Sequence, residues 1–206
     1  MKVTIIGAGN MGRGIGTRMA AGGHDVEVID HDPAEARKLA DELGNGATAA
    51  ETPGGEVVVL ALPYAAVADV IGEHRDALAG KVVIDITNPA DWSTMDRLVT
   101  PEGSSAAEEI AKQLGGKARV VKAFNTTFAG TLATGEVAGQ PLDVLIAGDD
   151  EDAKRTVASL VETGGMRPLD LGPLTRARQL EHAGLLHIAS QESLGSGFGS
   201  ALKLVW

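Results

Sequence analysis

The residues with the most definite chemical purpose are Gly7-Ala8-Gly9-Asn10-Met11-Gly12, which follow directly on the apolar run 2–6. A GxGxxG spacing between a strand and a helix suits a dinucleotide pyrophosphate. Gly7 permits the tight turn, Gly9 lets the backbone approach the phosphates, and Gly12 lets the helix pack closely on the strand. Asn10 and Met11 open a helix whose first amides point at the anion. A second apolar run, 25–29, ends at Asp30, 18 residues beyond Gly12, where a carboxylate can accept from adenosine ribose hydroxyls. A carboxylate there repels a 2′-phosphate, so Asp30 leans toward NAD over NADP. His31, Arg37 and Lys38 offer positive charge that favours the opposite choice.

In an open parallel sheet the ligand lies beyond the carboxyl ends of the strands, so the next candidates are the segments that follow each apolar run. These are Leu62-Pro63-Tyr64, Thr87-Asn88-Pro89 and Ala123-Phe124-Asn125-Thr126-Thr127. None brings an obvious general acid or base. Pro63 and Pro89 lack an amide proton and form apolar shelves, which suit a flat ring better than a hydrolytic water. His24, His74, His182 and His187 read as structural or solvated, with His74 expected on a polar helix face. HExxH and GxSxG patterns are absent, so metalloenzyme and hydrolase readings have no starting point and no metal ligand is expected. The chain has no cysteine, which excludes disulfides, zinc-thiolate sites and iron-sulfur clusters. Redox chemistry would have to come from bound cofactors. Hydride transfer between two of them needs no catalytic side chain, only positioning.

The elements that must do this positioning alternate along the chain. Apolar runs at 2–6, 25–29, 56–62, 81–87, 119–124 and 142–147 read as buried strands, and stretches of 3.6 periodicity at 11–21, 33–43, 65–78, 105–114 and 150–163 as helices. Asp32-Pro33 and Ser105 with Glu108 supply helix starts. A longer helix over 173–191, a Gly/Ser-rich loop over 193–200 and an apolar end complete the chain. The expected fold class is α/β, a Rossmann-type doubly wound parallel sheet with a small C-terminal α/β extension. One NAD(P)-binding domain is expected over 1–206, with a Rossmann core at 1–118 and an extension at 119–206 on the second-cofactor side. A formal net charge of −10 argues against a nucleic-acid partner. No apolar run reaches the roughly 20 residues that span a bilayer, and the chain enters a strand at once with no room for a signal peptide. The expectations are a cytoplasmic protein without a membrane partner, and a homodimer that buries Leu204-Val205-Trp206.

Five segments together resemble the F420-dependent NADP reductase family: the glycine loop, Leu62-Pro63, Ser104-Ser105-Ala106-Ala107-Glu108, Ala147-Gly148-Asp149-Asp150, and the stretch from Arg167-Pro168 to Pro173-Leu174. The resemblance implies hydride movement between C4 of a nicotinamide and C5 of an 8-hydroxy-5-deazaflavin, coenzyme F420. It also implies that Gly9, Asn10 and Met11 touch phosphates, that Leu62 and Pro63 flank the nicotinamide, and that Ala123, Phe124, Asn125 and Thr126 line the second cofactor. Asp30-His31 stands where that family tends to carry a Ser-Arg pair for the 2′-phosphate. Val121 to Thr126 is more similar to the flavin-using domain of STEAP-type metalloreductases, which implies a flavin as the alternative acceptor. Gly197 to Lys203 resembles the GxGxxxK stretch of β-hydroxyacid dehydrogenases, in which the lysine is a catalytic acid; that rival makes Lys203 catalytic. A further alternative is a non-catalytic NAD(P)H-binding redox sensor.

Overall fold

The computed structural model describes residues 1–206. Its centre is the unit β1 (Lys2–Ile6), α1 (Asn10–Ala21) and β2 (Asp25–Ile29), followed by α2 (Pro33–Leu43) and a two-residue strand β3 (Thr48–Ala49). Then come β4 (Val57–Leu60), α3 (Tyr64–His74), β5 (Val82–Asp85), α4 (Ala106–Leu114) and β6 (Arg119–Lys122). These strands are parallel neighbours in the order β3-β2-β1-β4-β5-β6, which reverses direction at β1. Strands buried on both faces explain the uninterrupted apolar runs. Along β4, Val57 and Val59 enter the core beneath α1 and α2, while Val58 and Leu60 enter the core beneath α3 and α4.

Beyond β6 the chain departs from an all-parallel sheet. A short helix α5 (Ala129–Thr134) and a hairpin of β7 (Glu136–Val137) and β8 (Gln140–Pro141) lead to β9 (Asp143–Gly148), which runs antiparallel to β6. Six residues of helix span only about 9 Å. They cannot return the chain to the starting edge of the sheet, so β9 begins at the carboxyl edge and runs back. Helix α6 (Glu151–Thr163) does cross the sheet, and β10 (Arg167–Asp170) accordingly lies parallel to β9. Periodicity alone overlooks β3, α5, the hairpin and β10, all short or interrupted by proline. The expected helix over 173–191 is divided into a 3-10 turn, α7 (Ala177–Ala189) and α8 (Gln191–Leu194).

Two local expectations change. His74 is buried instead of lying on a polar face. Ser105 caps α4 by accepting from the Glu108 amide at 3.2 Å, but the Glu108 carboxylate faces Ser105 Oγ and the Arg178 guanidinium. At the C-terminus, Val205 and Trp206 are exposed. No helix is long and apolar enough to cross a membrane.

Candidate cofactor site

The three loop glycines do different work. Gly7 has φ +114°, and a Cβ there would lie 2.2 Å from the Ala61 carbonyl oxygen; a Cβ on Gly12 would lie 1.9 Å from the Gly7 oxygen. Both are demanded by the fold. At Gly9 a Cβ would meet nothing within 4 Å. Gly9 also precedes α1 without any capping side chain, and no acidic residue stands in the first turn. The uncapped amides of a 12-residue helix therefore open onto free space, the arrangement a phosphate requires.

Two clefts meet at Leu62, and the inner of them borders this loop. The outer one, about 1130 Å³, lies between the ends of β1 and β2, helix α2 and helix α3, and is lined by Asp30, His31 and Arg37. Asp30 does more than face a ribose. Its Oδ2 accepts from the Ala8 amide at 2.7 Å, and its Oδ1 accepts from the Asp32 amide at 3.0 Å and lies 2.7 Å from His31 Nδ1. Burial opposes ionisation, but these amides and His31 hold the carboxyl below its ordinary range. Asp30 thus ties the glycine loop to the end of β2.

The inner cleft, about 410 Å³, opens beyond the carboxyl ends of β1, β4, β5 and β6. Gly9, Asn10 and Met11 form one side, and Leu62, Pro63 and Tyr64 another. Thr87, Asn88 and Asn125 line it from the ends of β5 and β6, and Trp92, Phe128 and Phe198 contribute aromatic wall. Tyr64 is its only titratable residue, and burial, followed by the carboxylates of Glu109, Glu181 and Asp85, pushes that hydroxyl further up. Two buried polar atoms of lining residues, Thr87 Oγ1 and Asn125 Oδ1, have no partner. Both atoms are shut off from the surface, so they mark unsatisfied polar groups behind the wall.

Other expected residues sit behind the wall. Ala123 and Phe124 belong to the core, with Phe124 at φ +64°, a left-handed conformation unusual for a bulky side chain. That turn sends Phe124 inward and Asn125 toward the cleft. Thr126 is buried, its carbonyl 3.2 Å from His187 Nδ1, and Pro89 is not on the wall. Asn88 and Asn125 hold one another: Asn125 Nδ2 donates to Asn88 Oδ1 at 2.9 Å, and Asn88 Nδ2 donates to the Asn125 carbonyl at 2.7 Å. Trp92, Ile188 and Phe198 were not anticipated. Half-exposed Phe198 packs edge-on against Phe128 at 5.1 Å, and Phe128 lies 4.3 Å from the His187 ring. Its only signal in the sequence is an aromatic residue within a Gly/Ser-rich loop. Lys203 donates to Asp143 Oδ1 at 3.0 Å and to the Pro141 carbonyl at 2.9 Å, and does not line the inner cleft.

The fold and loop define a dinucleotide-binding α/β protein, and comparison with known proteins narrows the class. Residues 2–89 match the family described as NADP oxidoreductase, coenzyme F420-dependent. The F420-dependent NADP reductase of Methanothermobacter marburgensis is 34% identical over 200 residues, covering 88% of each chain. Metalloreductase STEAP3 of Rattus norvegicus is 32% identical over 180 residues; the match takes in 87% of this chain but 36% of that protein's length. A crystal structure assigned as an F420-dependent NADP-reductase from Arthrobacter sp. FB24 superposes with a TM-score of 0.88 at 29% identity, covering the whole of both chains. The protein is an NAD(P)-dependent oxidoreductase. It belongs to the F420-dependent NADP reductase family.

Proposed function

We propose that the protein transfers a hydride between NADP(H), seated along the glycine loop with its nicotinamide in the inner cleft, and a deazaflavin of the F420 type beside it. The observation that carries this reading is the inner cleft: an apolar and aromatic slot on the glycine loop with no carboxylate, imidazole or amine among its lining side chains. The nicotinamide supplies a hydride at C4, and a deazaflavin ring receives one and delocalises the charge. The chain's own residues bind and orient. The first amides of α1 take the pyrophosphate, and Leu62 and Pro63 form a flat apolar support. Trp92 and Phe198 exclude water from the outer mouth.

For cofactor choice, Asp30 argues for NAD and the family for NADP. Because both Asp30 oxygens already accept from the protein, we assign NADP(H), with His31 and Arg37 reaching the 2′-phosphate. The likeness to STEAP3 keeps a flavin as the second acceptor to be tested. Lys203 as a catalytic acid is disfavoured by its ion pair with Asp143. The exposed Val205 and Trp206 fit a homodimer contact, which sedimentation at several concentrations would reveal.

The test is anaerobic rapid mixing of protein and NADPH with an 8-hydroxy-5-deazaflavin, a free flavin, a small hydroxy acid or an aldehyde. Loss of nicotinamide absorbance with the deazaflavin, slower loss with the flavin and none with the others is the expected result. Hydroxy-acid turnover abolished in Lys203→Ala would favour the dehydrogenase reading. Cofactor binding without turnover on any acceptor would favour a sensor.

A further inference from the structure

Beneath the inner cleft lies a cluster of three charged side chains, all 0% exposed: Asp85 at the end of β5, Lys122 at the end of β6, and Glu181 on α7. Lys122 Nζ uses its three protons on Asp85 Oδ2 at 2.8 Å, Glu181 Oε1 at 2.8 Å and the Thr87 carbonyl at 2.5 Å. Asp85 Oδ1 accepts from the Thr87 amide at 2.8 Å. Glu181 accepts from the Ala106 amide at 3.0 Å and the Ala107 amide at 3.4 Å, the first amides of α4. Every neighbour of these carboxylate oxygens is a donor, so a proton on either acid would have nothing to bond. Burial, joined by the charge of Asp85, pushes the Glu181 carboxyl up; Lys122 and the α4 amides act the other way. Two carboxylates against one ammonium leave a net charge of −1 in a dry setting.

The cluster is joined to the cleft through Thr87, whose amide and carbonyl it grips from behind and which lines the slot. Its field also reaches the opposite wall, where Asp85 and Glu181 are among the groups that raise the Tyr64 hydroxyl. Hydride departure moves H⁻ to the acceptor, which then takes a proton from solvent, and leaves the nicotinamide ring one unit more positive. A fixed anion nearby therefore lowers the energy of the oxidised ring relative to the reduced one.

We propose that Asp85, Lys122 and Glu181 form a positioning cluster whose surplus negative charge favours the oxidised nicotinamide and so sets the protein to draw hydride out of NADPH. The proposal rests on the nicotinamide occupying the inner cleft. Its test is the ratio of the NADP⁺ to the NADPH dissociation constant, measured by calorimetry and nicotinamide fluorescence. Glu181→Gln and Asp85→Asn, on different elements, each remove the surplus charge. Both should raise that ratio by about threefold to tenfold, while Glu181→Asp should leave it near the wild-type value. Loss of packing alone would weaken both cofactor forms together. An unchanged ratio in folded variants overturns the proposal. Should both variants fail to fold, the wild-type protein decides, since tighter binding of NADPH than of NADP⁺ contradicts it. If the wild-type protein binds neither form, the assignment of the cleft fails instead.

Discussion

At the scale of single residues, Gly9 separates binding from folding. Its missing Cβ would touch nothing in the protein, whereas Cβ atoms at Gly7 and Gly12 would collide with backbone. Gly9→Val should keep a native circular dichroism spectrum and lose NADPH binding at least tenfold, or about 1.4 kcal/mol. Gly12→Ala should lose stability first. Arg37 lines the outer cleft with Asp30 and His31. If it meets the 2′-phosphate, Arg37→Ala should raise the NADPH dissociation constant about tenfold and leave that for NADH unchanged. An equal loss for both cofactors would show that Arg37 does not distinguish them.

At the scale of elements, α7 closes the inner cleft from behind. It can approach the ends of β5 and β6 because Gly184 faces the Asn88–Asn125 pair, where a Cβ would lie 2.4 Å from Asn88 Oδ1 and 2.9 Å from Asn125 Nδ2. Gly184→Ala should separate the two amides, lower the melting temperature and weaken NADPH binding together. Retained affinity with normal stability would show that the pair does not shape the cleft. The same helix carries Glu181 to the start of α4, where Ser105 already caps the amide of Glu108. Ser105→Ala should therefore cost about 1 kcal/mol by thermal unfolding, with little change in cofactor affinity.

At the scale of the whole molecule, the sheet and both cores join residues before and after position 118. Val121, Val144 and Leu160 share a core with Val3 and Val28, and Leu174 and Ala177 share the other with Val58 and Ile71. We propose one cooperative folding unit, so circular dichroism and tryptophan fluorescence should report a single coincident transition. The C-terminal segment is fastened at buried Asp143, which accepts from Arg167 Nε at 2.8 Å, Lys203 Nζ at 3.0 Å and the Leu204 amide at 2.9 Å. Burial opposes ionisation, but Arg167, Leu204 and Lys203 hold the Asp143 carboxyl down at about 2. A depressed native value stabilises the fold above the unfolded value of about 4, and that contribution is lost as pH falls from about 4 toward 2. Over that interval the melting temperature of the wild-type protein should fall more steeply than that of Asp143→Asn. Parallel falls would remove Asp143 as the acid-sensitive clasp.

The glycine loop, Asp30 and the alternation of apolar runs with amphipathic helices were legible in the sequence because each is a local requirement. A tight turn needs Gly7, and a strand buried on both faces needs a continuous apolar run. For the same reason the loop could be placed on a strand-helix junction without knowing what surrounds it. The direction of β9 was not legible, since it follows from how far α5 carries the chain. Nor was the fate of Ala123 to Thr126, where the left-handed turn at Phe124 decides which side chains face the core and which the cleft. Trp92 and Phe198 reach the cleft wall from loops distant in sequence. The buried cluster of Asp85, Lys122 and Glu181 joins two strand ends to a helix some 60 residues further along the chain. Only tertiary packing brings such charges together, because in an extended chain each would simply be hydrated.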